Sequence, residues 1–559
     1  MEEMKRALER ATQNLFGLDI QVELTRPDEQ FGDYATNVAL QLAGKLRRKP
    51  REVAEELASS LREDLGDRVK EVSIAGPGFI NIRLSDAALT EQAEAAPVSR
   101  PDSYKGKTIV IEYSDPNPFK PLHAGHLYTT LVGDSISRLV EASGAKTIRI
   151  NYGGDVGLHA GKSMWSIVKY LDGELPEKLA EVLEGERAAW LGARYVEGNK
   201  AYEDDEAAKA EIVATNKRIY QLHEQNDRES PFAQIYWTCR QWSYDYFAGL
   251  YKQLEVMPFD RFIPESEVTP LGVQTVREQL ERGVYTKSDN AVVFKGEEFG
   301  LHTRVFINSE GLPTYETKDV GLSLTKWRDY HFDESIIITA NEQAQYMQVV
   351  IASIKQFAPE PAERTTHLTH GVVKFKGGAK FSSRKGNAPL ALDILEAARQ
   401  AGAVSEVKHS EESIMAAVKY AFARNRIGSD IHYDPEESVS LEGSSGPYLQ
   451  YAHARARSIL KKSSVVSRQS SVDFDPAERS LGRKVSEYPE VLQKAVGELM
   501  PHHICTYLYE LAQEFNRFYE KSKVIGDPRQ NTRLKLVQLY VDTLKDGLTL
   551  LGITAPERM

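Results

Sequence analysis

Only two cysteines occur in 559 residues, Cys239 and Cys505, far apart and outside any paired spacing. A disulfide framework or a cysteine-based zinc site is therefore not expected, and the chain reads as belonging to a reducing, cytoplasmic compartment. No apolar run approaches the ~20 residues that a bilayer-spanning helix needs. The opening Met1-Glu2-Glu3-Met4-Lys5-Arg6 lacks the basic-then-apolar order of a secretory signal. No Gly-x-Gly-x-x-Gly follows the first well-marked strand, which disfavours a dinucleotide-dependent dehydrogenase. Positive charge is also short, since the formal net charge is −11. Taken alone, that balance speaks against a nucleic-acid binder.

The distribution of charge differs at one end. From Leu441 to Met559, 17 Lys and Arg stand against 14 Asp and Glu, so this segment carries +3 and the remainder −14. A basic end on an acidic body is compatible with RNA docking there. With 41% hydrophobic and 27% charged residues the chain can bury a sizeable core. Its length suits about three domains.

Residues 1–103 read as a mixed α/β add-on domain. Val38 to Ala43 has helical apolar spacing with a basic end at Lys45, Arg47, Arg48 and Lys49; Pro50 stops it, and Phe79-Ile80-Asn81-Ile82-Arg83-Leu84 alternates as a strand. Ala95 to Pro101 reads as a linker. In residues 104–440, Thr108-Ile109-Val110-Ile111-Glu112-Tyr113 is a buried strand, Leu122 to Ala142 a helix, and Thr147-Ile148-Arg149-Ile150-Asn151-Tyr152 a second strand. Strand, helix, strand predicts a parallel α/β sheet of Rossmann type. Residues at about 163–299 are charged and mostly helical, and read as an insertion; alternation returns at Ala291-Val292-Val293-Phe294 and Glu334-Ser335-Ile336-Ile337-Ile338-Thr339. Residues 441–559 read as an all-helical domain, with a serine-rich basic loop from Ser463 to Ser471.

The sharpest chemical feature is Lys120-Pro121-Leu122-His123-Ala124-Gly125-His126, between strand and helix. Free N–H groups at a helix N-terminus favour phosphate, Gly125 admits a nucleotide to the backbone, and imidazole N–H groups can donate to a phosphoryl group as charge develops. A second cluster, Lys380-Phe381-Ser382-Ser383-Arg384-Lys385-Gly386-Asn387, is small, polar and cationic. It suits a triphosphate clamp, and equally an exposed basic turn. Tyr315 and Asp319 in Thr314-Tyr315-Glu316-Thr317-Lys318-Asp319 share a helix face, either as an ordinary surface turn or as a cation site. Tyr448, Gln450 and Arg455 lie in Gly446-Pro447-Tyr448-Leu449-Gln450-Tyr451-Ala452-His453-Ala454-Arg455, an aromatic and basic helix start. It suits stacking on unpaired bases, or simply a buried Tyr face.

These motifs carry a resemblance. His123-Ala124-Gly125-His126 resembles the His-Ile-Gly-His signature of class I aminoacyl-tRNA synthetases, and Lys380 to Lys385 is similar to a degenerate form of their second signature. Glu112-Tyr113-Ser114-Asp115-Pro116-Asn117 and Asn151-Tyr152-Gly153-Gly154-Asp155-Val156-Gly157 resemble the arginyl-tRNA synthetase version, where Asp115 stands at a position commonly Ser. The resemblance implies catalysis by His123, His126, Lys380, Arg384 and Lys385. It implies ATP binding by Lys120, His123, Gly125, His126, Ser382 and Ser383. Arginine would be held by Glu112, Asp115, Asn117, His126, Tyr315, Asp319 and Gln343. The tRNA for arginine would meet Tyr34 and Asn37 near the N-terminus, and Tyr448, Gln450 and Arg455 in a C-terminal anticodon-binding domain. A monomeric ligase of L-arginine and tRNA that consumes ATP with Mg2+, and needs no membrane, is expected. The alternatives are a class I synthetase for another amino acid and a catalytically silent tRNA-binding paralogue.

Overall fold

The computed structural model describes residues 1–376, 389–405, 408–462 and 473–559. Its centre is a five-stranded sheet, parallel throughout, with the spatial order Thr365–His370, Glu334–Ala340, Thr108–Glu112, Lys146–Gly153, Arg261–Pro264. Numbered along the chain this is 5-4-1-2-3, a doubly wound order, with its switch point between Thr108–Glu112 and Glu334–Ala340. The first strand is apolar on both faces because both are covered. Ile109 and Ile111 pack with Leu127, Leu131 and Ile136 of the helix Ala124–Ala142, while Val110 meets Ile150, Ile263, Val268 and Leu322 on the other side. The Rossmann-type expectation is met.

The insertion is smaller than the expected 163–299. Its helices, Leu158–Tyr170, Arg187–Asp204, Glu206–Glu224 and Pro231–Gln253, close around Met164, Ile219, Tyr236 and Trp242. The chain then returns to the main sheet as the edge strand Arg261–Pro264, whose four residues, one arginine and terminal proline give no alternation to read. Ala291–Phe294 is a strand, but in a separate antiparallel sheet with Thr286–Ser288 and Arg304–Ile307. Among the described residues no helix is long and apolar enough to cross a membrane.

In the N-terminal unit, the strands Tyr34–Thr36, Phe79–Leu84 and Val69–Ala75 form an antiparallel sheet backed by the helices Glu2–Phe16, Val38–Leu46 and Pro50–Leu65. The C-terminal helices, from Gly446–Lys461 to Gln530–Leu550, share a core in which Phe515 stacks on Tyr540 at 4.0 Å. These two ends of the chain are joined by ion pairs, of which Arg479 and Asp33 are buried. Arg479 donates to Asp33 at 2.6 Å and also to Asp86, and Arg26 donates to Glu490 at 2.8 Å while lying over the Tyr34 ring. The segment Ala95 to Pro101, expected as a linker, is part of this seam: Ala96 is fully buried among the C-terminal helices, and Arg100 pairs with Asp546 at 2.5 Å.

Candidate active site

The two signature histidines hold each other. His123 is the N-cap of the helix Ala124–Ala142, and its Nδ1 accepts from the backbone N–H of Gly125 (3.1 Å) and of His126 (3.4 Å). His126 Nδ1 in turn accepts from the His123 N–H at 3.3 Å, and the rings stack at 3.7 Å. This is a capping box built from imidazoles, and it requires both Nδ1 atoms unprotonated. Partial burial, with Lys120 nearby, brings His123 down to about 4; burial and His123 itself hold His126 well below the ordinary value. Both rings are therefore neutral at pH 7, and each carries its proton on Nε2. Gly125 is required by this arrangement, since a Cβ there would lie 2.9 Å from the His123 ring.

The loop before the helix is bound to the sheet and to the insertion. Ser114, Asp115 and Phe119 take left-handed backbone conformations (φ 78°, 48° and 67°). Asp115 accepts from the Tyr152 N–H at 2.8 Å and Asn117 from the Gly154 N–H at 2.9 Å. Ser114 Oγ lies 2.7 Å from the Tyr251 hydroxyl of the last insertion helix, and the Phe119 N–H donates to Ser243. A Cβ on Gly154 would strike the Asn117 side chain at 2.5 Å, so this glycine allows the loop its approach.

Beyond the loop lies a cleft of about 650 Å3 at the switch point of the sheet. One end is acidic. Asp319 accepts from the Tyr346 hydroxyl, Glu112 from Lys326 at 2.6 Å, and Glu265 from Lys318 at 2.5 Å. Burial, reinforced by Glu112 and Glu265 against the opposing Tyr346 hydrogen bond, pushes Asp319 up to about 8. Burial and Glu112 raise Asp115 well above the carboxylate range. An acidic cavity that holds protons in this way is short of a cation.

Glu112, Asp115, Asn117, Lys120, His123, Gly125, His126, Tyr315, Asp319 and Gln343 all line this one cleft. Tyr315 and Asp319 come from the first turns of the helix Tyr315–Tyr330, and Gln343 from the turn before Ala344–Lys355. Lys380, Ser382, Ser383, Arg384 and Lys385 lie outside the described residues. Tyr346, Glu265, Arg304 and His370 also line the cleft and were missed. Tyr346 stands three residues after Gln343, on the next helical turn, a spacing that could have flagged it. Glu265 follows the unread edge strand and left no signal. Of the residues expected to meet tRNA, Asn37 and Arg455 are exposed and Tyr448 is half-buried. Tyr34 and Gln450 lie inside the fold. Tyr34 is fully buried, with its hydroxyl donating to Gln92, and Gln450 is buried and donates to the Thr554 carbonyl at 2.8 Å. Both side chains serve packing rather than an open surface.

Residues 89–433 match the family described as tRNA synthetases class I (R), catalytic domain. The chain belongs to the arginyl-tRNA synthetases. Residues 2–84 match the arginyl tRNA synthetase N terminal domain, and residues 449–559 the DALR anticodon binding domain. The chain is 31% identical over 485 residues to an arginine–tRNA ligase of Flavobacterium psychrophilum, covering 81% of this chain and 80% of that one. A second such ligase, of Frankia casuarinae, is 31% identical over 594 residues, covering 99% and 97%. The arginyl-tRNA synthetase structure of Thermus thermophilus superposes with a TM-score of 0.80 at 25% identity, covering 100% of both chains. The three-part architecture of this arginyl-tRNA synthetase thus agrees with its sequence resemblance.

Proposed function

We propose how this arginyl-tRNA synthetase uses the cleft to ligate L-arginine to its tRNA at the expense of ATP. The observation that carries the reading is the pair of reciprocally capped, neutral histidines at the mouth of a carboxylate-lined cavity. The guanidinium of arginine enters the acidic end, among Asp319, Asp115 and Glu112 and against the Tyr315 ring, where its planar fork meets carboxylates and an aromatic face. Asn117, Gln343 and His126 hold the α-amino acid end. The arginine carboxylate then attacks the α-phosphorus of ATP; a carboxylate oxygen–phosphorus bond forms, and the bond to the pyrophosphate oxygen breaks. Nε2–H of His123 and of His126, with Lys120, donates to the oxygens that gain charge, and positioning supplies the rest.

Lys380, Ser382, Ser383, Arg384 and Lys385 are assigned from sequence to the departing phosphates. A hydroxyl of the terminal tRNA ribose then attacks the arginyl carbonyl and releases AMP. Mg2+ belongs to the ATP substrate, as suits an ion that keeps several waters. Among the described residues no group of three or more His, Cys, Asp or Glu is arranged to hold a metal. Asn37, Tyr448 and Arg455 are the candidate tRNA contacts that reach the surface, and the enzyme would act in the cytoplasm as a monomer.

Arginine binding should release protons. Asp319 holds a proton up to about pH 8 in the free enzyme, whereas the guanidinium favours the carboxylate. Arginine KM should therefore fall as pH rises from 6 to 8, by up to about tenfold per unit for each proton released, and level off above. Asp319→Asn should raise arginine KM by about 10- to 150-fold, the ~1.5–3 kcal/mol of a charged hydrogen bond, and flatten that slope. Titration calorimetry in buffers of different ionisation enthalpy counts the protons. A flat profile with no proton release would place the guanidinium elsewhere.

A further inference from the structure

One histidine of the cleft has no part in the mechanism above. His370 ends the strand Thr365–His370, is 3% exposed, and tilts against the Tyr128 ring of the signature helix at 4.4 Å. Its Nδ1 lies 2.7 Å from the Gly371 carbonyl. A carbonyl oxygen only accepts, so the proton sits on Nδ1 and the neutral ring presents Nε2 as a bare acceptor. Burial holds the ring below its ordinary value, which keeps it neutral at pH 7. Nε2 has no hydrogen-bond partner among the described residues, and it is not among the side-chain atoms sealed from solvent.

An acceptor is out of character at this end of the cleft. Its neighbours His123 and His126 offer donors, suited to phosphate oxygens that only accept. Arginine's donors belong at the opposite end, beside Lys146–Gly153, which lies three places from Thr365–His370 in the sheet. With the α-phosphate at the histidine pair and the amino acid on one side of it, the nucleoside falls on the other, over the carboxyl ends of Glu334–Ala340 and Thr365–His370. ATP has donors only in its nucleoside: the adenine 6-amino group and the ribose hydroxyls.

We propose that His370 is a specificity-determining residue for ATP, whose Nε2 accepts a hydrogen bond from a donor of the adenosine moiety. Tyr128 packs against the ring and Gly371 fixes its tautomer, so the acceptor is set before ATP arrives. The assignment rests on the reading of the cleft given above. Charging of tRNA with arginine by the unaltered full-length chain tests that reading, and the analogue comparison below then bears on His370 alone.

The test measures KM for ATP and for three analogues, each short of one donor: purine riboside triphosphate (no 6-amino group), 2′-deoxy-ATP and 3′-deoxy-ATP. Aminoacylation is followed with tRNA and arginine present. The unaltered chain should discriminate against one analogue by about 3- to 10-fold, the scale of one neutral hydrogen bond, and the identity of that analogue names the donor. His370→Phe keeps the ring against Tyr128 but removes the acceptor. It should raise ATP KM by the same factor, leave arginine KM unchanged and abolish the discrimination. His370→Gln, which retains an acceptor, should recover part of it. An unaltered chain that treats all four nucleotides alike would overturn the proposal. So would a His370→Phe variant with unchanged ATP KM, or one that discriminates as before. The thermal transition of each variant establishes that it is folded.

Discussion

Replacing His126 with alanine should lower adenylate formation by ~10²–10³-fold, the effect of removing one donor aimed at developing charge. The side chain has two duties. Its Nε2–H faces the cleft, and its Nδ1 accepts the His123 N–H, so the substitution also loosens the partner ring. His123→Ala removes the N-cap of the same helix, and the ~1 kcal/mol typical of a lost cap would appear in stability as well. For His126→Ala the loss should appear mainly in arginine-dependent pyrophosphate exchange measured with tRNA present, with the thermal transition nearly unmoved. Unchanged exchange in that variant would remove His126 from the chemistry.

The second large effect concerns stability. Arg479→Met should weaken the seam between the N-terminal unit and the C-terminal helices by ~3–5 kcal/mol, because it strands the buried carboxylate of Asp33 and unpairs the half-buried Asp86. Asp33 keeps the Leu84 N–H at 2.7 Å, and Arg483 stands 3.6 Å away, so the charge is not wholly abandoned. The unit has its own core, from Met4 to Leu89, and so should loosen separately rather than unfold the whole chain. Differential scanning calorimetry should show a new transition at lower temperature. Adding Asp33→Asn should restore part of the loss, since the stranded charge goes with it. A single unshifted transition in Arg479→Met would show that the seam contributes little.

How much of this was legible in the sequence depended on how locally each feature is encoded. The strand Thr108–Glu112 and the helix Ala124–Ala142 announce themselves through β-branching and helical period, and the motif between them sits where a parallel sheet opens. Together with the family resemblance, that was enough to gather ten residues that line one cleft. Arg261–Pro264 was hidden because a four-residue edge strand needs its neighbour, not its own pattern, to be a strand. The mutual capping of His123 and His126 was also invisible, since the motif gives residue types and not which nitrogen accepts. Tyr34 and Gln450 show the limit of reading aromatic and polar residues as surface. Each is bonded inside the fold, Tyr34 with Arg26 and Gln92, and Gln450 through its amide N–H to the Thr554 carbonyl, and only the folded chain supplies those partners.

In the proposed reading, the acidic end of the cleft selects the amino acid. A neutral side chain placed there would leave Asp319 and Asp115 protonated and forgo the charged hydrogen bonds that the guanidinium makes. The direct test is to aminoacylate unfractionated tRNA with each of the 20 amino acids in turn, using the unaltered chain with ATP and Mg2+. Arginine alone should be charged, with lysine, whose point charge lacks the planar fork, far behind. Charging of a neutral amino acid at a comparable rate, or ATP-dependent charging of none, would contradict the account.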